Sequence, residues 1–288
     1  MEINGKTKVL GVMGCPIEHS ISPVIHNNLA AELKDNLVYA PFKVDEGKVQ
    51  DAVKGAFALG IQGLNVTVPH KSAVIPFLCD IDPLAKRIGA VNTLVYTNEG
   101  YKGYNTDMPG LLRAMKHDGA EVAGKDVIIL GAGGVARAVA FLLADSKVNH
   151  IYVLNRTIEK AKAIEEEIKA YAGDIISAHE LSEYSSLYGD GYVVIQATNV
   201  GMHPDVDRAV LEDEEFYKKV SFGYDLVYNP AETKFMKLCK ASGAEAYNGL
   251  RMLLYQGVIA YELYTGKSVD DELSEKIYHK MAEAMGIK

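Results

Sequence analysis

The sequence predicts an α/β fold made of two α/β domains, on three observations. Short β-rich runs alternate with helical segments through most of the chain, as βαβ units require. A length of 288 residues exceeds what most single cores hold. A composition of 48% hydrophobic and 24% charged residues is that of an ordinary globular protein able to bury sizeable cores.

In chain order, strands are expected at 8–14, 38–44, 63–69 and 92–97, all in parallel βαβ arrangement. Ser22-Pro23 reads as a helix start, with Ser22 as N-cap and Pro23 at the first helical position. A second helix is expected around Glu46. In LNVTVPHK the alternation turns Val66 and Val68 inward and Asn65 and Thr67 to the opposite face, with Lys71 just past the strand. A helix DMPGLLRAMKHDG, stopped by Gly119, leads to further strands at 126–130, 150–155, 192–198 and 222–228, near-continuous apolar runs as in a covered parallel sheet. Two helices close the chain. The expected division is a domain of residues 1–106 completed by helices 249–288, and a second domain of residues 107–248.

Charge and cysteine content narrow the function classes. A net charge of −8, with no Lys/Arg cluster, argues against nucleic acid as a partner. No apolar run approaches the roughly 20 residues of a membrane span, and the N-terminal stretch lacks a leader pattern, so no membrane partner and a cytoplasmic setting are expected. Cys15, Cys79 and Cys239 are too scattered for a disulfide framework. The histidines show no metal-ligand spacing, and His19 and His70 are assigned structural roles.

The most specific local signal is Gly131-Ala132-Gly133-Gly134-Val135-Ala136, placed between a strand and a helix. Read as G-x-G-x-x-A, it marks a Rossmann-type dinucleotide-binding domain: Gly131 makes the tight turn, Gly133 admits a pyrophosphate, and Ala136 keeps the helix close to the sheet. The next strand ends at Asn155-Arg156-Thr157, with Lys160 one turn on and no carboxylate where NAD-binding folds place one for the ribose 2′-hydroxyl. A guanidinium there suits a phosphate, so NADP is the expected cofactor; the alternative is a solvated strand-end charge.

In the first domain three polar clusters are expected at strand carboxyl ends, where open α/β sheets bind ligands: His19 to Ser22, Asn65 to Thr67 with Lys71, and Asn92-Thr93. At this point GCPIEHSISPVIHN, NVTVPHK, GAVNT, GYNTD, GAGGVARA, NRTIEKA, ATNVGM, DLVYNP and NGLRMLLYQG, in that order from about Gly11 to Gly257, together closely resemble the shikimate dehydrogenase family.

That resemblance implies NADP-linked interconversion of 3-dehydroshikimate and shikimate in aromatic amino acid biosynthesis, with one of these small molecules as partner, and it allows a homodimer. It implies that Ser20 and Ser22 bind the substrate carboxylate, with Tyr228 on that side. Thr67, Lys71, Asn92, Asp107 and Gln256 would contact the ring hydroxyls and reacting oxygen, with Asn65 nearby. Lys71 and Asp107 match the family's catalytic pair. Gly131, Ala132, Gly133, Gly134, Val135, Asn155, Arg156, Thr157, Lys160, Thr198, Leu226 and Gly249 would line the cofactor. Val200 departs from relatives that carry Pro near this point.

The chemistry is coherent with that implication. Hydride delivered to a ring carbonyl builds negative charge on oxygen, and a Lys can donate a proton or polarise the carbonyl. Asp107 also fits as the N-cap of its helix and Ser22 as the cap of another. Rival readings are a quinate/shikimate dehydrogenase tolerant of NAD, and a dinucleotide-binding regulator without catalysis. An interdomain cleft that closes on substrate is expected.

Overall fold

The computed structural model describes residues 3–287. It divides into two compact α/β units. One comprises the chain up to Gly110 together with the chain from Leu253 onward, and the other is Leu111–Met252. The divisions fall inside two helices.

The first unit contains β1 (Lys8–Gly14), α1 (Ser22–Glu32), β2 (Leu37–Lys43), α2 (Val49–Ala58), β3 (Gly63–Val66), β4 (Asp80–Ile81), α3 (Pro83–Ile88), β5 (Thr93–Thr97) and β6 (Gly100–Tyr104). Its six-stranded sheet has the order β2-β1-β3-β5-β6-β4. The expectation of a wholly parallel sheet is corrected here, because β5 runs antiparallel to both β3 and β6. The cause is local: only Asn98 and Glu99 separate β5 from β6, a connection too short for anything but a hairpin. On one face Val49 and Val53 of α2 pack with Leu64, Val66 and Leu94. Gly63 and Asn65 alternate with those residues and so point to the other side. There the ring of Tyr264 lies where a Cβ on Gly63 would sit, at 2.3 Å.

Helix α1 begins one residue earlier than the capping pattern suggests. Ile21 occupies the N-cap position without a side-chain cap bond, and Ser22 is already helical. Strand β3 is also shorter than expected. It ends at Val66, since Pro69 has no N–H to donate and the chain turns there, His70 N–H donating to the Thr67 carbonyl at 2.9 Å. Val68 therefore leaves the core and is 66% exposed, whereas Val66 is buried as its period requires.

Helix α4 (Asp107–His117) leads into the second unit, with β7 (Asp126–Leu130), α5 (Gly134–Asp145), β8 (His150–Asn155), α6 (Ile158–Ala172), β9 (Ile176–Glu180), β10 (Tyr192–Gln196), α7 (Glu214–Tyr217), β11 (Val220–Asp225), α8 (Lys234–Ala241) and β12 (Glu245–Tyr247). All of its strand pairs are parallel, in the order β12-β11-β10-β7-β8-β9. That is the doubly wound dinucleotide-binding order, whose direction reverses between β7 and β10 and opens a crevice at the strand carboxyl ends. Helices α9 (Leu250–Thr265) and α10 (Asp271–Ala284) return the chain to the first unit, where Val258, Tyr261, Ile277 and Met281 are buried.

Candidate active site

In the first unit the antiparallel β5 decides the geometry. Thr93 pairs with Asn65 on β3 and with Tyr104 on β6, so the start of β5 lies beside the ends of both neighbours. Asn92-Thr93 thus reaches the sheet's ligand end by opening a strand rather than by closing one, which corrects the expected placement. The backbone N–H of Val91 donates to the Lys71 carbonyl at 2.8 Å and fixes Lys71 next to it. Beyond β6, Asn105 to Asp107 enter α4.

These connections converge on one ion pair. Lys71 Nζ lies 2.6 Å from Asp107 Oδ2, and Asn92 Nδ2 donates to Asp107 Oδ1 at 2.9 Å. Both charged side chains keep partial access to solvent, at 32% and 19% exposure. Asp107 does not cap α4 with its side chain. Asn105 Oδ1 takes that role, accepting from the N–H groups of Asp107 at 3.1 Å and Met108 at 3.3 Å, and leaves the Asp107 carboxylate for Lys71 and Asn92.

Other expected residues gather around this pair. Asn65 is buried and bonded to Tyr39, Thr93 and the Asn92 carbonyl. Thr67 follows β3 directly, its N–H donating to the Met13 carbonyl at 3.0 Å. Ser20 and Ser22 sit together before α1, with the Ser22 N–H donating to Ser20 Oγ at 3.4 Å. Gln256 of α9 meets the first turn of α4 at Gly110, where a Cβ would stand 2.7 Å from the Gln256 backbone nitrogen. Its amide donates to the Leu253 carbonyl. His70 is buried and donates from Nε2 to the Val44 carbonyl at 2.6 Å, a structural bond.

In the second unit a cavity of about 690 Å³ opens at the carboxyl ends of β7, β8, β10 and β11. Gly131 to Val135, Asn155, Arg156, Thr157, Lys160, Thr198, Leu226 and Tyr228 all line it. Gly249 is not among the lining residues; its N–H donates to the Val227 carbonyl behind Leu226. Motif-level reading singled out no role for Asn199, Met202, His203 and Asn229, which also line the cavity and which lie within or beside ATNVGM and DLVYNP.

The cavity fits a dinucleotide. Gly131 takes φ +110° and passes so close to Thr198 that a Cβ would lie 2.6 Å from its Cγ2, whereas Gly133 and Gly134 face open space that side chains would fill. Gly133 is the N-cap of α5 and makes no side-chain cap bond, which leaves the first N–H groups of that helix without a side-chain cap, as phosphate binding needs. The described lining holds the cations Arg156 and Lys160 and no Asp or Glu.

The loop after β10 is held from below. Gln196 Oε1 accepts from both the N–H and the hydroxyl of Thr198, and Gln196 Nε2 donates to Asp225 Oδ1 at 3.1 Å. Asp225 is fully buried at the end of β11 and also accepts from Thr233 Oγ1 and the Val227 N–H. Burial pushes its carboxyl up to about 6, against the pull of those hydrogen bonds. The folded chain therefore binds a proton that the unfolded chain has released, between roughly pH 4 and 6, and this group's contribution to stability falls as pH rises through that window. Asp225→Asn keeps the Oδ1 acceptor and removes the charge. Thermal melts of the variant are expected to lose that decline, by on the order of 2 kcal/mol relative to the parent at pH 8; parallel pH profiles for the two proteins would contradict it.

A doubly wound parallel sheet, a glycine turn opening a helix and an acid-free cavity at the strand ends define a dinucleotide-binding α/β protein. Three family models match along the chain: a shikimate dehydrogenase substrate binding domain over residues 12–94, shikimate/quinate 5-dehydrogenase over 113–219, and the shikimate 5′-dehydrogenase C-terminal domain over 249–273. A shikimate dehydrogenase (NADP(+)) of Caldanaerobacter subterraneus subsp. tengcongensis is 42% identical over 98% of this chain and 100% of its own length. Among solved structures, a shikimate dehydrogenase in complex with NADP+ has 37% identity and a TM-score of 0.87, covering 98% of this chain and 97% of that one. A shikimate 5-dehydrogenase from Listeria monocytogenes, in complex with shikimate and NAD, has 30% identity and a TM-score of 0.88, covering 96% and 98%. The chain belongs to the shikimate dehydrogenase family.

Proposed function

We propose that this protein is an NADP-linked oxidoreductase that reversibly reduces 3-dehydroshikimate to shikimate in aromatic amino acid biosynthesis, and that Lys71 and Asp107 are its acid/base pair. The observation that carries the reading is the 2.6 Å Lys71–Asp107 contact, at the end of a sheet that also presents Asn65, Thr67 and Asn92.

The first unit takes the substrate in this reading. Hydroxyl and amide groups of Thr67, Asn65, Asn92 and Gln256 suit a polyhydroxylated ring, and Ser20 and Ser22 before α1 suit its carboxylate. The family resemblance assigns Tyr228 to the carboxylate side of the substrate. The second unit holds NADP: the α5 N-terminus takes the pyrophosphate, and Arg156, Thr157 and Lys160 take the 2′-phosphate. NADP, when bound, supplies the hydride acceptor and donor.

Oxidation of the ring alcohol releases a hydride from carbon and a proton from the hydroxyl. The Lys71–Asp107 pair accepts that proton, and in reduction it returns one to the oxygen on which charge builds. The two groups share one contact and act as a unit. Asn92 holds the far oxygen of Asp107, so the carboxylate keeps Oδ2 turned to Lys71.

We infer a cytoplasmic setting. Among the described residues no helix is long and apolar enough to cross a membrane, and Cys15, Cys79 and Cys239 are free thiols. A homodimer is the expected assembly, read by sedimentation as twice the mass of the chain.

Steady-state NADP reduction with shikimate tests the function. The expected outcome is a specificity constant far higher for shikimate than for quinate, and for NADP than for NAD. Comparable constants would point to a quinate/shikimate enzyme. NADPH binding without turnover would point to a regulator.

A further inference from the structure

The Lys71–Asp107 pair is the end of a longer buried chain of hydrogen bonds whose direction can be read. Two groups in it act in only one sense. The Asn92 carbonyl can only accept, and Asn65 faces it at 3.1 Å, so the Asn65 group there is its NH2. The Thr106 backbone N–H can only donate, and Asn92 faces it at 2.8 Å, so the Asn92 atom there is its Oδ1.

Those two orientations set the direction of the bonds on either side of them. With its NH2 turned to Asn92, Asn65 presents Oδ1 to the Tyr39 hydroxyl, which donates at 2.7 Å. The same NH2 donates to Thr93 Oγ1 at 3.0 Å. Thr93, already accepting, has Asn92 Oδ1 at 3.0 Å and Thr106 Oγ1 at 3.2 Å within reach of its own proton, and the nearer of the two, Asn92 Oδ1, takes it. Asn92 is left with its NH2 towards Asp107 Oδ1 at 2.9 Å. Donors point one way throughout, from Tyr39 through Asn65, Thr93 and Asn92 to the carboxylate.

The origin of the chain is held rigidly. Tyr39 is buried, and the ring of His26 stacks on it at 4.1 Å with an interplanar angle of 0°. Burial pushes the His26 imidazole down to about 3, so the stacked ring is neutral at physiological pH. Thr93 is likewise completely buried. Its hydroxyl faces Asn65, Asn92 and the hydroxyl of Thr106.

We propose that Thr93 is a positioning residue for the acid/base pair: its hydroxyl couples Asn65 to Asn92 and so fixes the amide that holds Asp107 against Lys71. The inference rests on the reading of Lys71 and Asp107 given above. It assigns a role to a side chain that touches neither of them.

Thr93→Val tests it, because Val keeps the shape and removes only the hydroxyl. Asn65 retains the Asn92 carbonyl and Asn92 retains the Thr106 N–H, so neither amide is orphaned and the variant is expected to fold. The expected result is a loss of kcat of about 3- to 10-fold, the size of one hydrogen bond, with KM for NADP unchanged. Thr93→Ser should restore kcat. In an Asp107→Asn background Thr93→Val should cost nothing further, since its path is already broken. Wild-type turnover with shikimate in the same assay tests the reaction itself, and the ratio of variant to wild type tests this inference, so either can fail alone. A Thr93→Val kcat within about twofold of wild type, a loss that Ser does not restore, or the same loss repeated in the Asp107→Asn background overturns it.

Discussion

Lys71→Ala is expected to lower kcat by about 10²- to 10⁴-fold, the usual weight of a positioned acid/base group, while leaving the Kd for NADP unchanged. Lys71 Nζ is the cation set against Asp107 Oδ2 at 2.6 Å, and its partial exposure leaves it open to a substrate hydroxyl. The second half follows from placement, since every residue lining the dinucleotide cavity belongs to the second unit and Lys71 belongs to the first. The fold is expected to survive, because the link that seats residue 71 is its carbonyl, which Ala retains, and Asp107 keeps its bond to Asn92. Stopped-flow or steady-state turnover with calorimetric NADP binding reads both halves. A variant within tenfold of the parent would remove Lys71 from the chemistry.

Arg156→Ala is expected to weaken NADP by about 10- to 100-fold and NAD by no more than about twofold, so that cofactor preference collapses. Strand β8 ends at Asn155 and among the described residues no carboxylate lines the cavity, so no group there would repel a 2′-phosphate or bind a 2′-hydroxyl. Arg156 offers a planar, permanently charged donor set for that phosphate, and Lys160 adds a second cation to the same lining. Since NAD lacks the phosphate, it has little to lose. Equal weakening of both cofactors, measured as kcat/KM with each, would place Arg156 elsewhere.

The second unit was the more legible in the sequence, for a physical reason. Runs such as DVIIL and YVVIQ are buried on both faces and stay apolar throughout, and Gly131-Ala132-Gly133 marks a turn that only glycine permits. Such signals are local. In the first unit, β6 reads GYKGY, with two glycines and no apolar run, and nothing in it announces the hairpin that reverses β5. Val68 kept the strand period and was still exposed, since Pro69 ends the ladder whatever the alternation suggests.

The site divides in the same way. Lys71, Asn65 and Asn92 stand out because polar residues at strand ends are costly unless they are used. Asp107 reads in the sequence as a helix cap or as a partner of Lys71; in the fold Asn105, two residues before it, takes the cap, and its carboxylate meets Lys71 36 positions away, a contact that no local pattern encodes. Thr93 is flagged in the sequence only as part of the Asn92-Thr93 cluster, and Tyr39 gives no sign of joining the site. A Tyr in β2 reads as core, and only the fold brings its hydroxyl to Asn65.

The Lys71–Asp107 pair is expected to meet the reacting hydroxyl of shikimate. A crystal structure of the ternary complex with NADP and shikimate tests it most directly. The expected result is the reacting hydroxyl within about 3.2 Å of Lys71 Nζ or an Asp107 carboxylate oxygen, with Asn92 still bound to the other oxygen of that carboxylate. Shikimate seated with that hydroxyl away from both side chains would contradict the account.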